Sequence, residues 1–257
     1  MSPRYEERLA ARIRAADSRL CVGLDPRPDR IDGPVEDFVR RVIDETAPSV
    51  AAYKPNAAYF EALGLPGLRL LEQLRGWIPD DIPLILDGKR GDIPETNRAY
   101  ARACFDVWGA DAVTVNPWPG FDSLEPFLER PGKGVYLLAV MSNPGAADLQ
   151  LLDCGGRPAW TAVLDMARRA ADRPGTAGFV LGLTNVSPEI LATLPDAPLL
   201  VPGLGAQGGR LDDLDVSDRR APVVINSSRS ILFGEGGPEQ LGTRAAKARE
   251  AIHAALS

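Results

Sequence analysis

Residues 84–96 read "LILDGKRGDIPET": an apolar run that ends in Asp87, Lys89, Arg90 and Asp92, four formal charges within six residues. In an extended strand side chains alternate, so Asp87 and Lys89 share a face if Gly88 points the other way. Asp92 follows Gly91, where the chain can turn. An ammonium flanked by carboxylates keeps its charged form. Lys89 is therefore suited to donate a proton, whereas a Schiff-base or general-base lysine needs its pKa lowered. The plainer reading is an ion-pair cluster that only secures a strand end.

A second group of residues can hold an anion. "VPGLGAQGG" (201–209) is a glycine-rich turn whose amides can face a phosphate, with Gln207 as an added donor. "INSSRS" (225–230) supplies Ser227, Ser228 and Arg229, whose guanidinium fork fits phosphate oxygens.

Other chemistries find little material. The single histidine, His253, lies four residues from the end of a helical pattern, which removes His-based triads and His-ligated zinc. Cys21, Cys104 and Cys154 have no metal-type spacing, and three cysteines make no disulfide framework. The 257 residues are 45% hydrophobic and 25% charged, a globular composition. A net charge of −6 gives no global attraction for nucleic acid or an anionic membrane. There is no apolar signal segment and no run of membrane-spanning length, and a reducing cytoplasm fits these features.

The elements that must position the charges recur along the chain. Eight apolar runs read as strands: 20–25, 50–56, 84–90, 112–118, 134–142, 177–184, 199–205 and 222–230. Amphipathic helical stretches lie between them, several opened by proline, as at Pro94, Pro188 and Pro238. Near-continuous apolar strands alternating with helices imply parallel strands covered outside. The pattern predicts one (β/α)8 TIM barrel over residues 1–257, with an extra N-terminal helix at about 3–16. A doubly wound open sheet is the alternative. Polar residues gather at strand ends: Asp25, Lys54, Asp87 with Lys89, Asn116, Ser142, Thr184, and Ser228 with Arg229. In a barrel those ends ring one mouth, where active sites of this fold sit. The irregular stretches 143–157 and 206–221 then become mobile active-site loops.

Taken together, these pieces resemble the orotidine 5′-phosphate decarboxylase family. "LDGKRGDIPET" is similar to its D-x-K-x-x-D-I-P-x-T signature, "VPGLGAQGG" to its phosphate-gripping loop, "SSRS" to its strand-eight arginine motif and "MSNPG" (141–145) to its pyrimidine-contacting loop. "LDPRP" (24–28) and "YKPNAAYFEALG" (53–64) match its first two strand ends, and the likeness, over about 20–235, is to the longer bacterial branch.

The resemblance implies a homodimer that converts orotidine 5′-monophosphate to UMP and CO2 without metal or organic cofactor. It implies that Asp87 lies beside the departing carboxylate and that Lys89 delivers a proton to C6. Asp92 and Thr96 would enter from the neighbouring subunit, so that each site is shared. Asp25 and Lys54 would hold ribose hydroxyls, Ser142 the pyrimidine, and Gln207, Ser228 and Arg229 the phosphate; Pro202 also belongs to the implied substrate-binding set. Related barrels with D-x-K-x-x-D act on sugar phosphates through Mg²⁺ and an enediolate, and "MSNPG" with "SSRS" argues against them. A catalytically silent barrel that binds a nucleotide or a partner protein is the non-enzymatic alternative.

Overall fold

Short segments rich in valine, leucine and isoleucine become the strands, because β-branched and apolar side chains fit a pleated surface buried on both sides. They are β1 (Leu20–Leu24), β2 (Ala52–Pro55), β3 (Ile85–Arg90), β4 (Ala112–Val115), β5 (Gly134–Val140), β6 (Thr176–Leu181), β7 (Leu199–Pro202) and β8 (Val223–Ser227). The computed structural model describes residues 3–186, 188–191, 193–203, 211 and 214–256.

All strand neighbours pair in parallel, in the order β2-β1-β8-β7-β6-β5-β4-β3. The two end strands then meet through single bridges, Tyr53 to Leu84 and Asn56 to Asp87, and the Tyr53 amide donates to the Pro83 carbonyl at 3.0 Å. A doubly wound sheet would leave β2 and β3 on opposite edges. Their contact makes the sheet a nearly closed TIM barrel, as the alternation of elements predicts.

The helices are α1 (Tyr5–Ala16), α2 (Val35–Thr46), α3 (Ala57–Glu61), α4 (Leu65–Trp77), α5 (Pro94–Arg102), α6 (Glu125–Leu128), α7 (Ala162–Arg169), α8 (Pro188–Leu191), α9 (Arg229–Leu232) and α10 (Leu241–Ala255). Pro94 and Pro188 open α5 and α8 as expected, whereas Pro238 opens a 3-10 turn, Pro238–Gln240, that leads into α10. None of the described helices is long and apolar enough to cross a membrane. The expected loop 143–157 is partly ordered by a 3-10 turn, Pro144–Asp148, and a bridge from Asp153 to Pro158.

Apolar side chains form two layers. The larger packs the outer faces of the strands against the helices. The inner layer takes one side chain from most strands, including Cys21, Ala52, Ile85, Tyr136 and Val224, and adds Tyr5 and Leu9 from α1. The extra N-terminal helix therefore stoppers the end of the barrel where the strands begin. The Tyr5 ring meets Tyr136 edge-on at 5.9 Å, with 3.1 Å between their hydroxyls. Arg8 secures the stopper with bonds to Asp111 at 2.8 Å and to the Gly132 carbonyl at 2.9 Å. Burying Leu9 alone contributes about 1.5–3 kcal/mol. With one end plugged, the open mouth of the barrel is the other, where strands β1 to β8 terminate.

Candidate active site

The charged end of β3 departs from a regular strand. Leu86 pairs with Val113 and Arg90 with Val115, so β3 advances four residues (86 to 90) while β4 advances two (113 to 115). Within that bulge Lys89 takes a left-handed backbone, φ 44°, which costs a non-glycine residue roughly 1–2 kcal/mol. Lys89 thus reaches the mouth through a kink, not through the simple alternation that the sequence suggests.

Asp87 is the centre of the charges. Its Oδ2 accepts from Lys54 Nζ at 2.8 Å and its Oδ1 from Lys89 Nζ at 2.6 Å. Burial alone would raise its pKa, but the two ammonium groups prevail and hold its carboxyl well below the usual carboxylate range. Burial would likewise neutralise Lys54; Asp87 and Asp25 oppose it and raise the Lys54 pKa. The two lysines differ in access: the Lys54 side chain is 7% exposed and that of Lys89 is 42% exposed. Lys54 braces the carboxylate from below, and Lys89 meets the solvent.

Both lysines line a cleft of about 230 Å³. Its apolar wall comes from Leu138, Met141, Val180 and Leu200, its rim from Ser142, and its far side from Pro202, Gly203 and Arg229. Arg229 is exposed at the head of α9 and makes no ion pair among the described residues. Beside the cleft the Ser228 hydroxyl donates to Asp25 Oδ2 at 2.5 Å, while Asp25 Oδ1 is buried with no hydrogen-bond partner among the described residues. Gly23 is needed here because a Cβ would lie 2.7 Å from that of Ser228.

Asp92 and Thr96, expected from a neighbouring subunit, do not line the cleft within their own chain, and Ser227 does not line it either. Asp92 makes no ion pair with Lys89; its Oδ1 accepts the Ile93 amide at 2.6 Å, at the entrance to α5. Lys89 therefore pairs with one carboxylate of its own chain, not two. Thr96 sits half-buried in the first turn of α5 and does not line the cleft. Ser227 faces away from the mouth, 2.9 Å from the Ser230 hydroxyl, because consecutive residues of β8 alternate. Gln207 lies outside the described residues, as does most of the glycine-rich turn beyond Gly203.

Two residues that sequence reasoning missed complete the site. Thr114 and Asn226 both line the cleft, and Asn226 Oδ1 is buried without a hydrogen-bond partner among the described residues. The available signal was a polar residue inside an apolar strand, in "AVTVN" and "VVINS".

A family model described as orotidine 5′-phosphate decarboxylase / HUMPS family matches residues 18–240. An orotidine 5′-phosphate decarboxylase of Roseiflexus sp. (strain RS-1) is 44% identical over 98% of each chain. One from Cupriavidus metallidurans is 42% identical over 89% of each. A solved Leishmania donovani OMP decarboxylase superposes with a TM-score of 0.85 at 35% identity, covering 98% of both chains.

Proposed function

The chain belongs to the orotidine 5′-phosphate decarboxylase / HUMPS family, and we propose that it converts orotidine 5′-monophosphate to UMP and CO2 in pyrimidine biosynthesis, with Lys89 as proton donor and no cofactor. One observation carries this reading: the Lys89 amine, 2.6 Å from Asp87, opens into the cleft that Arg229 lines from the other side.

The bond from C6 to the carboxylate breaks, CO2 leaves as a neutral molecule and the electron pair stays on C6. That carbanion is poorly delocalised by the ring, so a fixed cation beside it lowers the barrier. The Lys89 ammonium, preorganised by Asp87, supplies the field and then the proton, and recovers a proton from solvent. Asp87 faces the substrate carboxylate, a repulsion that ends when CO2 departs. Arg229, the Ser228 main-chain N–H and Gln207 hold the phosphate, and Pro202 lines the substrate cleft. The unpartnered Asp25 oxygen accepts a ribose hydroxyl, Lys54 lies within the same polar group, and Ser142 meets the pyrimidine. Phosphate affinity at the far end contributes to the rate when it is realised in the transition state.

The donor set favours this over the Mg²⁺-dependent sugar-phosphate chemistry. Both Asp87 oxygens already accept from ammonium groups, and Oδ1 also accepts from Thr114. A divalent cation would have to displace them.

The functional unit in this reading is a cytoplasmic homodimer whose sites take Asp92 and Thr96 from the neighbouring copy. The Asn116 amide donates to the Arg90 carbonyl at 2.7 Å, so the segments carrying Asp92 and Trp118 adjoin. Ile93 is 60% and Trp118 77% exposed there, an apolar rim suited to a second copy.

The test is the loss of ultraviolet absorbance when purified protein meets orotidine 5′-monophosphate in EDTA. Consumption under those conditions supports the reading. Activity that returns only with Mg²⁺ would move the chain to the metal-dependent chemistry. Thermal stabilisation by UMP without any consumption would make it a nucleotide-binding barrel.

A further inference from the structure

Thr114 lies inside β4 and is 1% exposed. Its hydroxyl oxygen accepts the main-chain N–H of Lys89 at 2.9 Å, and its proton goes to Asp87 Oδ1 at 3.0 Å. An amide N–H only donates and an ionised carboxylate only accepts, so the hydroxyl has one possible sense. Asp87 Oδ1 also receives the Lys89 amine at 2.6 Å. A ring results: Lys89 amide to Thr114 hydroxyl, Thr114 hydroxyl to Asp87, and Lys89 amine back to Asp87. Both ends of one lysine are tied through two side chains.

The bulge makes that tie necessary. The register change between Leu86 and Arg90 takes Lys89 out of the regular β3–β4 ladder, and its left-handed backbone has no strand geometry to hold it. The acceptor that a ladder carbonyl would supply comes instead from a side chain of the adjoining strand. A valine there would keep the shape and the β preference of Thr114 but could neither accept the amide nor donate to the carboxylate.

We propose that Thr114 is a positioning residue for proton transfer, its hydroxyl locking the kinked Lys89 main chain and the Asp87 carboxylate into one ring that aims the Lys89 amine at the reacting carbon. The inference rests on Lys89 being the proton donor. It assigns Thr114 an effect on the chemical step, because phosphate and ribose are gripped across the cleft by Arg229 and Asp25. Misaiming the donor removes near-attack geometry while leaving those grips intact.

The experiment compares Thr114→Val, Thr114→Ser and Thr114→Cys with the wild type, reading kcat and KM for orotidine 5′-monophosphate together with the thermal midpoint. Serine restores both hydrogen bonds and should keep kcat within about threefold of wild type. Valine should lower kcat at least tenfold with KM within about threefold. Cysteine, a weak donor of similar size, should fall between them, and the serine–cysteine pair decides the matter if the valine protein does not fold. A valine variant with kcat within twofold of wild type would overturn the proposal, as would equal losses in serine and cysteine, or a loss carried wholly by KM. A wild-type protein that consumes no substrate would sink the functional reading and this inference together; an active wild type with an indifferent Thr114 would sink this inference alone.

Discussion

Ser228 donates its hydroxyl to Asp25 across 2.5 Å, joining the last strand end to the first over 203 residues of sequence. The other Asp25 oxygen is buried and has no hydrogen-bond partner among the described residues, which suits it to the proposed ribose hydroxyl. A hydrogen bond to a charged group is worth about 1.5–3 kcal/mol. Ser228→Ala should therefore raise KM for the nucleotide by about tenfold or more while kcat changes little. Steady-state kinetics at saturating substrate would separate the two effects.

Removing the exposed amine should stop turnover without emptying the site. Lys89→Ala is expected to lower kcat by about 10³-fold or more, since it deletes both the cation and the proton. UMP affinity, measured by calorimetry, should stay within about tenfold because Arg229 and Asp25 are untouched. A variant that still turns over at a comparable rate would remove Lys89 from the mechanism.

Acid should weaken the fold through Asp87. Its folded pKa lies below the ordinary value of about 3.9 because Lys54 and Lys89 overcome the effect of burial. The stabilisation it provides is complete above the unfolded value and is lost as pH falls toward the depressed folded value. In denaturant titrations, the gap in unfolding free energy between wild type and Asp87→Asn should be constant near neutrality. Below about pH 5 it should narrow. A gap indifferent to pH would show that the carboxylate is not gripped by the two lysines in solution.

The proposed sharing of sites between subunits predicts complementation. Lys89→Ala and Asp92→Ala proteins, each inactive alone, should recover partial activity when mixed, because a hybrid dimer rebuilds one intact site. Recovery should appear on the timescale of subunit exchange, followed by native mass spectrometry. If exchange is complete and activity stays absent, Asp92 works within its own chain.

The stopper at the opposite end should be separable from catalysis. A Cβ at Gly134 would lie 2.5 Å from the Tyr5 ring. Overpacking of this kind costs about 1–3 kcal/mol. Gly134→Ala should lower the thermal midpoint while kcat at moderate temperature remains that of the wild type.

The barrel was legible in the sequence because all eight apolar runs correspond to strands, and each is bounded by helix or turn signals. Residues at strand ends were legible too: Lys54, Asp87, Lys89, Ser142 and Arg229 converge on one cleft. The kink at Lys89 was not, since a left-handed lysine has no signature in composition or period. The role of Thr114 was hidden for a related reason. A threonine inside "AVTVN" looks like an ordinary β-former until the neighbouring strand loses its register. Asp92 marks another limit: its distance from Lys89 within one chain is a matter of how the turn after Gly91 runs, and spacing alone suggested a closer approach.

Neighbouring strands elsewhere in the barrel share ladders, but β2 and β3 are joined by isolated bridges, one of them Asn56 to Asp87. The bond from Lys54 to Asp87 crosses the same joint. The carboxylate proposed to face the substrate is thus also the buckle of the hoop. Replacing Asp87 should therefore loosen the closure of the cylinder as well as the site, because its side chain holds Lys54 across the joint.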